Sequence, residues 1–303
     1  MIAGDQGNMG AELHIDDGRF LVHSSDFVSL AYVFRGPGRK PYLPMLVGPS
    51  GRNMLEAPAA DHAHHLGIWW GHGDVNGIDF YLELPRPDLP AGRIEHVDFA
   101  NIVNDPPEFG FTERLRWQAP DDSTVIEETR ILHADFMRDD SYTVDVDSAY
   151  TALCPIVFGD TKESVLPGIR LAERLTVNGG GTMTNSHGQV NEAGTMGQPA
   201  AWIDCTTERK GLWWKETTEG IACFDHPDNP HHEPTWFARD YGVFSPFEGH
   251  HFLDGGTLAR GETLRARHRI LIHGGTTETA DIAGRYRNYR EASTHSEHHH
   301  TSG

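Results

Sequence analysis

The chain has 303 residues, of which 38% are hydrophobic and 23% charged, and its formal net charge is −19. Phosphate backbones and anionic lipids repel so acidic a chain, which argues against nucleic-acid and membrane partners. The 3 cysteines are widely spaced and do not make a disulfide framework. Neither a secretory signal nor an apolar run of about 18 residues is present. We therefore expect a soluble, cytoplasmic protein, whose oligomeric state stays open.

The 33 glycines and 18 prolines are typical of many short strands joined by turns. In chain order, we predict strands over Ala11–Ile15, Phe20–His23, Phe27–Phe34, Tyr42–Val47, Glu95–Val103, Phe109–Gln118, Thr124–Phe136, Ser141–Leu153, Ile169–Val177, Ala200–Cys205, Gly220–Phe224 and Leu264–His273. Residues 52–92 show no sustained period and are predicted to form long, folded loops with short strand pieces. Ala280–Ala292 is the one convincing helix.

The four segments between Glu95 and Leu153 alternate apolar and polar residues, which indicates an antiparallel sheet with one buried face. A dozen or more strands need two packed sheets to bury one face of each. The prediction is an all-β fold: one domain over residues 1–292, built as a large antiparallel two-sheet sandwich with a short C-terminal helix. Residues 293–303 form a polar, His-rich tail that we expect to be disordered.

The densest group of chemically active residues lies between Asp61 and Gly77. It contains four histidines, two tryptophans, two aspartates and an asparagine: Asp61, His62, His64, His65, Trp69, Trp70, His72, Asp74 and Asn76. In an extended stretch His62 and His64 project to the same side, and a turn could bring His65 to them. The glycines that follow allow the chain to return His72 and Asp74 toward this group.

Three interpretations of this segment stay open. His62, His64 and His65 are the predicted ligands of one divalent metal ion, with a coordination position left for substrate. Alternatively, His65 and His72 carry protons in a metal-free site, where Trp70, Asp74 and Asn76 contact the substrate. In the third interpretation, the histidines cap turns and cover the edge of the core.

A second group consists of Lys162 and Glu163, with Arg170 following in a predicted strand. Lys162 and Glu163 could position a proton donor and acceptor, and Arg170 could hold a carboxylate or a pair of hydroxyls. The alternative is an acidic turn with a surface ion pair that contributes little to stability.

A third group lies in a proline-rich loop and contains His226, Asn229, Trp236 and Arg239. Prolines stiffen the loop, amide and guanidinium groups suit sugar hydroxyls, and an indole suits the apolar face of a sugar ring. We predict that His226 takes part in catalysis and that the other three bind substrate. In the structural alternative, Trp236 anchors a surface loop in the core.

These groups resemble a bacterial family called PmoA-like, a name taken from a methane-oxygenase subunit. The similar stretches are Asp61–Tyr81, Gly159–Glu163 with Arg170, Asp225–Pro230 and Trp236–Phe247. The resemblance implies a fold related to the galactose-mutarotase-type supersandwich, and a carbohydrate as the substrate class. The closing segment Phe252–Gly274 is similar to the last strands of aldose epimerases.

The leading hypothesis is a carbohydrate-active enzyme that uses His-centred acid–base chemistry, with a metal ion as one option, on a sugar or an oxidised glycoside. Epimerisation, elimination and hydrolysis all fit it. The alternatives are a non-catalytic carbohydrate-binding protein and a redox metalloenzyme. A small-molecule carbohydrate is the expected partner of both the carbohydrate-active enzyme and the carbohydrate-binding protein.

Overall fold

The computed structural model describes residues 11–24, 27–136, 141–209, 217–246 and 256–296. Its strands are, in chain order, β1 (Ala11–Ile15), β2 (Arg19–Ser24), β3 (Phe27–Val33), β4 (Tyr42–Leu46), β5 (Ile68–His72), β6 (Arg93–Asp105), β7 (Glu108–Gln118), β8 (Thr124–Asp135), β9 (Tyr142–Ala152), β10 (Ile156–Val157), β11 (Ser164–Arg170), β12 (Thr182–Asn185), β13 (Trp202–Arg209), β14 (Thr217–Asp225), β15 (Phe237–Arg239), β16 (Val243–Ser245), β17 (Thr257–Leu258) and β18 (Thr263–Gly274). The helices are α1 (Asn191–Thr195) and α2 (Ile282–Ser296), with a 3-10 turn at Glu173–Leu175.

Two eight-stranded antiparallel sheets make up the molecule. The first sheet has the order β1-β2-β3-β4-β5-β11-β16-β15, the second β12-β13-β14-β18-β9-β8-β7-β6, and β10 pairs separately with β17. One large hydrophobic cluster takes side chains from both sheets, for example Ile68 and Trp70 of β5 and Phe111 of β7. The predicted all-β fold of two packed antiparallel sheets is therefore confirmed.

The long strands of the second sheet follow the alternation of the sequence. In β9 the side chains of Tyr142, Val144 and Val146 are buried, whereas Asp145 and Asp147 are partly exposed. Helix α2 packs on the outer side of this sheet, where Tyr286 and Tyr289 join Phe224 in a smaller hydrophobic cluster. The predicted C-terminal helix is confirmed. It continues to Ser296, four residues past 292, and residues 297–303 lie outside the described part of the chain.

One strand prediction was wrong. Ile169–Val177 is not one strand: β11 begins earlier, at Ser164, and ends at Arg170. A 3-10 turn follows, in which the N–H of Leu175 bonds to the carbonyl of Ala172. β11 was misplaced because all seven of its residues are buried, so no polar alternation marks its beginning.

The segment predicted as loops, residues 52–92, contains one strand, β5. This strand lies inside the first sheet, between β4 and β11. Within the described residues, no helix is long and apolar enough to span a membrane.

Candidate functional site

The candidate site lies on the outer face of the first sheet and is built on the neighbouring strands β5 and β11. Alternation along β5 turns Trp70 toward the core between the sheets and Trp69 to the opposite side. Trp69, Tyr81 and Val165 form a separate hydrophobic cluster on that outer side. Gly168 makes room for the indole, because a Cβ there would lie 2.9 Å from Cζ2 of Trp69.

The histidine segment forms a tight turn that is anchored on β11. The N–H of His65 donates to the carbonyl of His62 at 2.8 Å, and the N–H of Arg170 donates to the carbonyl of Gly67 at 2.7 Å. Gly67 has φ +76°, and a Cβ there would lie 2.2 Å from the carbonyl oxygen of Leu43. Only glycine fits this close approach, so Gly67 sets where the histidine turn meets the sheet.

Aromatic rings stack through the site in the order Tyr241, His62, His65, Trp69. The centroid separations are 5.5 Å between Tyr241 and His62, 4.7 Å between His62 and His65, and 5.0 Å between His65 and Trp69. His64 lies across this stack, perpendicular to His65 at 4.5 Å, and 5.3 Å from the ring of Tyr81. We call Asp61, His62, His64, His65, Trp69, Tyr81, Arg170 and Tyr241 the outer-face site.

Arg170 holds the polar side of the site together. Its Nε donates to Glu56 at 3.1 Å, and one terminal nitrogen donates to Asp61 at 2.7 Å. The other terminal nitrogen lies 3.3 Å from Nδ1 of His65. Because a guanidinium can only donate, this bond places the proton of a neutral His65 on Nε2. Two carboxylates thus offset the charge of Arg170.

His64 and His65 are neutral at physiological pH. Burial, reinforced by His62 and by the charge of Lys40, lowers the pKa of His64 to about 4. Burial and the neighbouring His64, His62 and Arg170 lower the pKa of His65 to about 2. Burial acts to raise the pKa of Asp61, but hydrogen bonds from His62 and Arg170 lower it overall. Neutral imidazoles therefore stand beside an ionised carboxylate.

His64 is the histidine best placed to meet a ligand. It is half-buried, and within the described ranges its ring nitrogens have no hydrogen-bond partner. His65 by contrast is only 4% exposed and is bonded to Arg170. An imidazole with unused polar atoms beside aromatic rings can exchange hydrogen bonds with a bound molecule.

The predicted metal ligands His62, His64 and His65 do come together, but as stacked and perpendicular rings. No group of three or more His, Cys, Asp or Glu side chains that could hold a metal ion occurs in the described part of the chain. As arranged, the three imidazoles do not fit a metal site, and the chemistry proposed for the site does not use a metal ion. The bound divalent metal and the redox chemistry that would need it stay predictions.

Two predicted residues lie at the margins of the outer-face site. Glu163 is partly buried and accepts a hydrogen bond from Arg86 at 3.2 Å. Its negative charge helps to raise the pKa of Tyr81. Arg239 pairs with Glu192 at 3.1 Å and acts on the pKa of Tyr241. Lys162 is exposed, next to Glu163.

The rest of the 61–77 segment does not join the outer-face site. His72 follows Trp70 on the inner side of β5, where its ring lies 5.1 Å from that of Phe158. Trp70 stacks on the buried guanidinium of Arg130 at 3.9 Å. Asp74 and Asn76 form a turn: Asp74 accepts from the N–H of Gly77, and Asn76 bonds to the backbone of residues 155 and 157. Because side chains alternate along a strand, adjacent tryptophans cannot share one face.

The third predicted group also lies apart. Trp236 is fully buried and donates to the carbonyl of Ala200, as the structural alternative predicted. Asn229 is bonded to Asp225 and to the backbone of Arg267, and His226 accepts from the N–H of Asp228. These contacts belong to the second sheet. Catalytic and binding roles for these residues stay predictions.

Sequence reasoning missed four residues that shape the outer-face site: Lys40, Glu56, Tyr81 and Tyr241. Lys40 is buried, donates to the carbonyl of Tyr81 at 2.6 Å and pairs with Glu83. Lys40 and Glu56 reach the site through side-chain hydrogen bonds with Tyr81 and Arg170. The one sequence signal for any of them was the aromatic content around Tyr81, which is the last residue of the stretch Asp61–Tyr81.

The chain belongs to a family of unknown function, DUF6807, whose model matches residues 19–287. The resemblance to the PmoA-like family stays a prediction. No curated protein matches the chain.

Two solved structures are similar to this chain in outline. One is a GalM/aldose epimerase homologue from C. elegans, with 8% identity, a TM-score of 0.37, and coverage of 88% of this chain and 98% of that one. The other is a galactose mutarotase related enzyme from Lactobacillus acidophilus, with 8% identity, a TM-score of 0.35, and coverage of 87% and 97%. Likenesses of this degree say nothing about the chemistry of the site.

Proposed function

We propose that the outer-face site binds a carbohydrate and that the protein transforms it by acid–base chemistry, with His64 as the proton acceptor. The observation that carries the proposal is the half-buried, neutral His64 without a hydrogen-bond partner in the described chain, set against aromatic rings. Aromatic faces suit the C–H side of a sugar ring, while imidazole and carboxylate groups bond its hydroxyls.

The charges around the site favour an uncharged sugar. Arg170 is neutralised by Glu56 and Asp61, and Lys40 by Glu83. Near the margin, Arg86 is paired with Asp88 and Glu163. Within the described part of the chain, the cations of the outer-face site itself are paired, so a carboxylate or phosphate on the sugar would face several carboxylates.

Because its pKa is lowered to about 4, His64 is unprotonated at pH 7 and can take the proton of an anomeric hydroxyl. As that proton leaves, C1 becomes a carbonyl, the C1–O5 bond breaks, and O5 takes a proton from water; the reverse steps close the ring on the other face. The carboxylates of Glu83 and Asp79 act to raise that pKa and would stabilise the imidazolium that forms. His65 contacts the ring of His64 and is itself held by Arg170, so it positions the acceptor. An acid–base group typically contributes about 10²–10⁴-fold in rate.

The test is a turnover screen by NMR and polarimetry. Mutarotation of glucose, galactose and xylose and cleavage of their methyl glycosides would be followed with wild-type protein, His64→Ala and the control His133→Ala, a half-buried histidine on the second sheet. We expect turnover of at least one sugar, a loss of about 10²–10⁴-fold in His64→Ala and no change in the control. Equal turnover in His64→Ala and wild type would remove His64 from the mechanism.

A second candidate is non-catalytic carbohydrate binding. It is favoured by the low pKa values of His64 and His65, about 4 and about 2, because such imidazoles are weak bases at pH 7. Binding of a sugar without product over a long incubation would support this candidate. In that case Tyr241→Ala should weaken binding, because Tyr241 ends the ring stack at a half-buried position.

A further inference from the structure

A second concavity adjoins the outer-face site. It is an open groove of about 500 Å³ between the β1–β2 turn and the segment after β3. Its lining includes Asp16, Arg19, Arg35, Pro37 and Tyr42. The groove therefore combines charged side chains with the aromatic ring of Tyr42.

Tyr42 links the groove to the outer-face site. It lines the groove, lies opposite Trp69 in the β4–β5 pairing, and packs against the cluster that contains Trp69 and Tyr81. The ring is half-buried, so one part faces the cluster while another part stays accessible. A ligand that contacts the rings around His64 and extends across β4 would therefore meet Tyr42 next.

The polar groups of the groove differ from those of the outer-face site. Asp16 is held in its turn by the N–H groups of Gly18 and Arg19 and by the Arg19 side chain. Arg35 is exposed, and within the described residues its guanidinium contacts the ring of Phe34 but makes no hydrogen bond or ion pair. It therefore has five donors to offer a ligand, whereas Arg170 is already engaged with three acceptors.

From this arrangement we infer that the ligand is a glycoside of at least two units. One uncharged ring occupies the outer-face site, and the second unit lies in the groove, over Tyr42 and within reach of Arg35. The inference rests on the proposed function, because it assigns the part of the ligand that extends beyond His64.

The experiment compares one-ring and two-ring probes by isothermal titration calorimetry. The pairs are methyl β-D-glucopyranoside with cellobiose, and methyl β-D-galactopyranoside with lactose. We expect the two-ring sugar of at least one pair to bind about tenfold or more tightly than its one-ring partner. Tyr42→Ala and Arg35→Gln should each remove most of this advantage. Arg35→Gln should leave one-ring affinity within about twofold, whereas His64→Ala should weaken the binding of both sugars.

The outcomes separate the two proposals. A two-ring advantage that survives both groove variants, or equal affinities of one-ring and two-ring sugars, overturns the groove and leaves the outer-face site standing. If wild-type protein binds none of the probes, the proposed function is overturned for these sugars, and the inference about the groove is overturned with it. Arg35→Gln keeps the test valid if Tyr42→Ala fails to fold, because Arg35 is exposed.

Discussion

Two regions of the molecule gather histidine and carboxylate side chains, and they differ in how completely those groups are bonded. In the outer-face site, His64 is half-buried and has no hydrogen-bond partner among the described residues. The other region lies at the end of β14, beside α2, and consists of Asp225, Asn229, His232 and His268. We call it the helix-side cluster.

Every polar group of the helix-side cluster has a partner. Asp225 is 1% exposed; it accepts from Asn229 at 2.7 Å and from Nδ1 of His232 at 2.6 Å, and Nε2 of His268 lies 3.3 Å away. The hydroxyl of Tyr286 on α2 lies 3.2 Å from Nε2 of His232. A saturated network of this kind fixes a loop and a helix, whereas unused polar atoms near the surface are available to a ligand.

The largest expected effect on stability comes from breaking the helix-side cluster. Asp225→Ala removes a buried carboxylate and leaves several donors without an acceptor, so we expect a loss of about 3–5 kcal/mol in the free energy of unfolding. The matched change in the outer-face site is Asp61→Ala. Its carboxylate side chain is 49% exposed, and we expect a loss of about 1 kcal/mol or less.

Urea denaturation of the two variants checks this contrast. Equal losses would mean that the two regions do not differ in structural importance.

The neutral histidines predict a pH dependence. The pKa values of His64 and His72 are lowered to about 4 and that of His65 to about 2, so the folded protein leaves them unprotonated where the unfolded chain, with ordinary values near 6.5, binds protons. The stability that these neutral histidines contribute is therefore fully present above pH 6.5 and is lost as the pH drops toward 4. Each histidine contributes a slope of up to about 1.4 kcal/mol per pH unit in that window.

Denaturation midpoints between pH 8 and pH 4.5 measure this slope. His64→Ala should be less steep than wild type below pH 6.5 and parallel to it above pH 7. Parallel curves over the whole range would show that His64 is not held neutral by the fold.

The parts of the fold that could be predicted from the sequence are the strands with one face exposed to solvent. The strands β7 to β9 alternate clearly, because water on the outer side selects polar residues there. β5 and β11 are buried throughout, so their sequences carry no period, and the strands that support the candidate site were the hardest to predict.

The site was partly predictable for the same reason. A turn that brings His65 beside His62 was anticipated, and the structure shows it. The contact of this turn with Arg170 was not anticipated, because Arg170 was assigned to a separate group. The parity of β5 was not used. Had it been applied, Trp69 and Trp70 would have been assigned to opposite faces, and His72 would have followed Trp70 into the interior. Lys40 and Tyr241 come from distant parts of the chain, and no local sequence pattern predicts that they lie beside the histidine turn.

A smaller effect tests the charge of the ligand. Because the cations around His64 are already paired, methyl β-D-glucuronide should bind at least about tenfold more weakly than methyl β-D-glucopyranoside, a difference of about 1.4 kcal/mol. Titration calorimetry at pH 7 measures both, with Arg35→Gln as the control that should leave the difference in place. Tighter binding of methyl β-D-glucuronide would contradict this prediction and indicate an unpaired cation at the site.

The smallest expected effect concerns Lys162, which the sequence placed among the catalytic residues. Its side chain is exposed beside Glu163, whereas Glu163 is partly buried and bonded to Arg86 and Thr161. Lys162→Ala should change the free energy of unfolding by no more than about 0.5 kcal/mol and turnover by less than twofold, while Glu163→Gln should affect turnover more. The comparison is informative because the two residues are adjacent in sequence, but only the charge of Glu163 helps to raise the pKa of Tyr81. If Lys162→Ala lost turnover while its denaturation curve stayed unchanged, proximity in sequence would have been the better guide, and the site would extend past the edge of β11 to include the lysine.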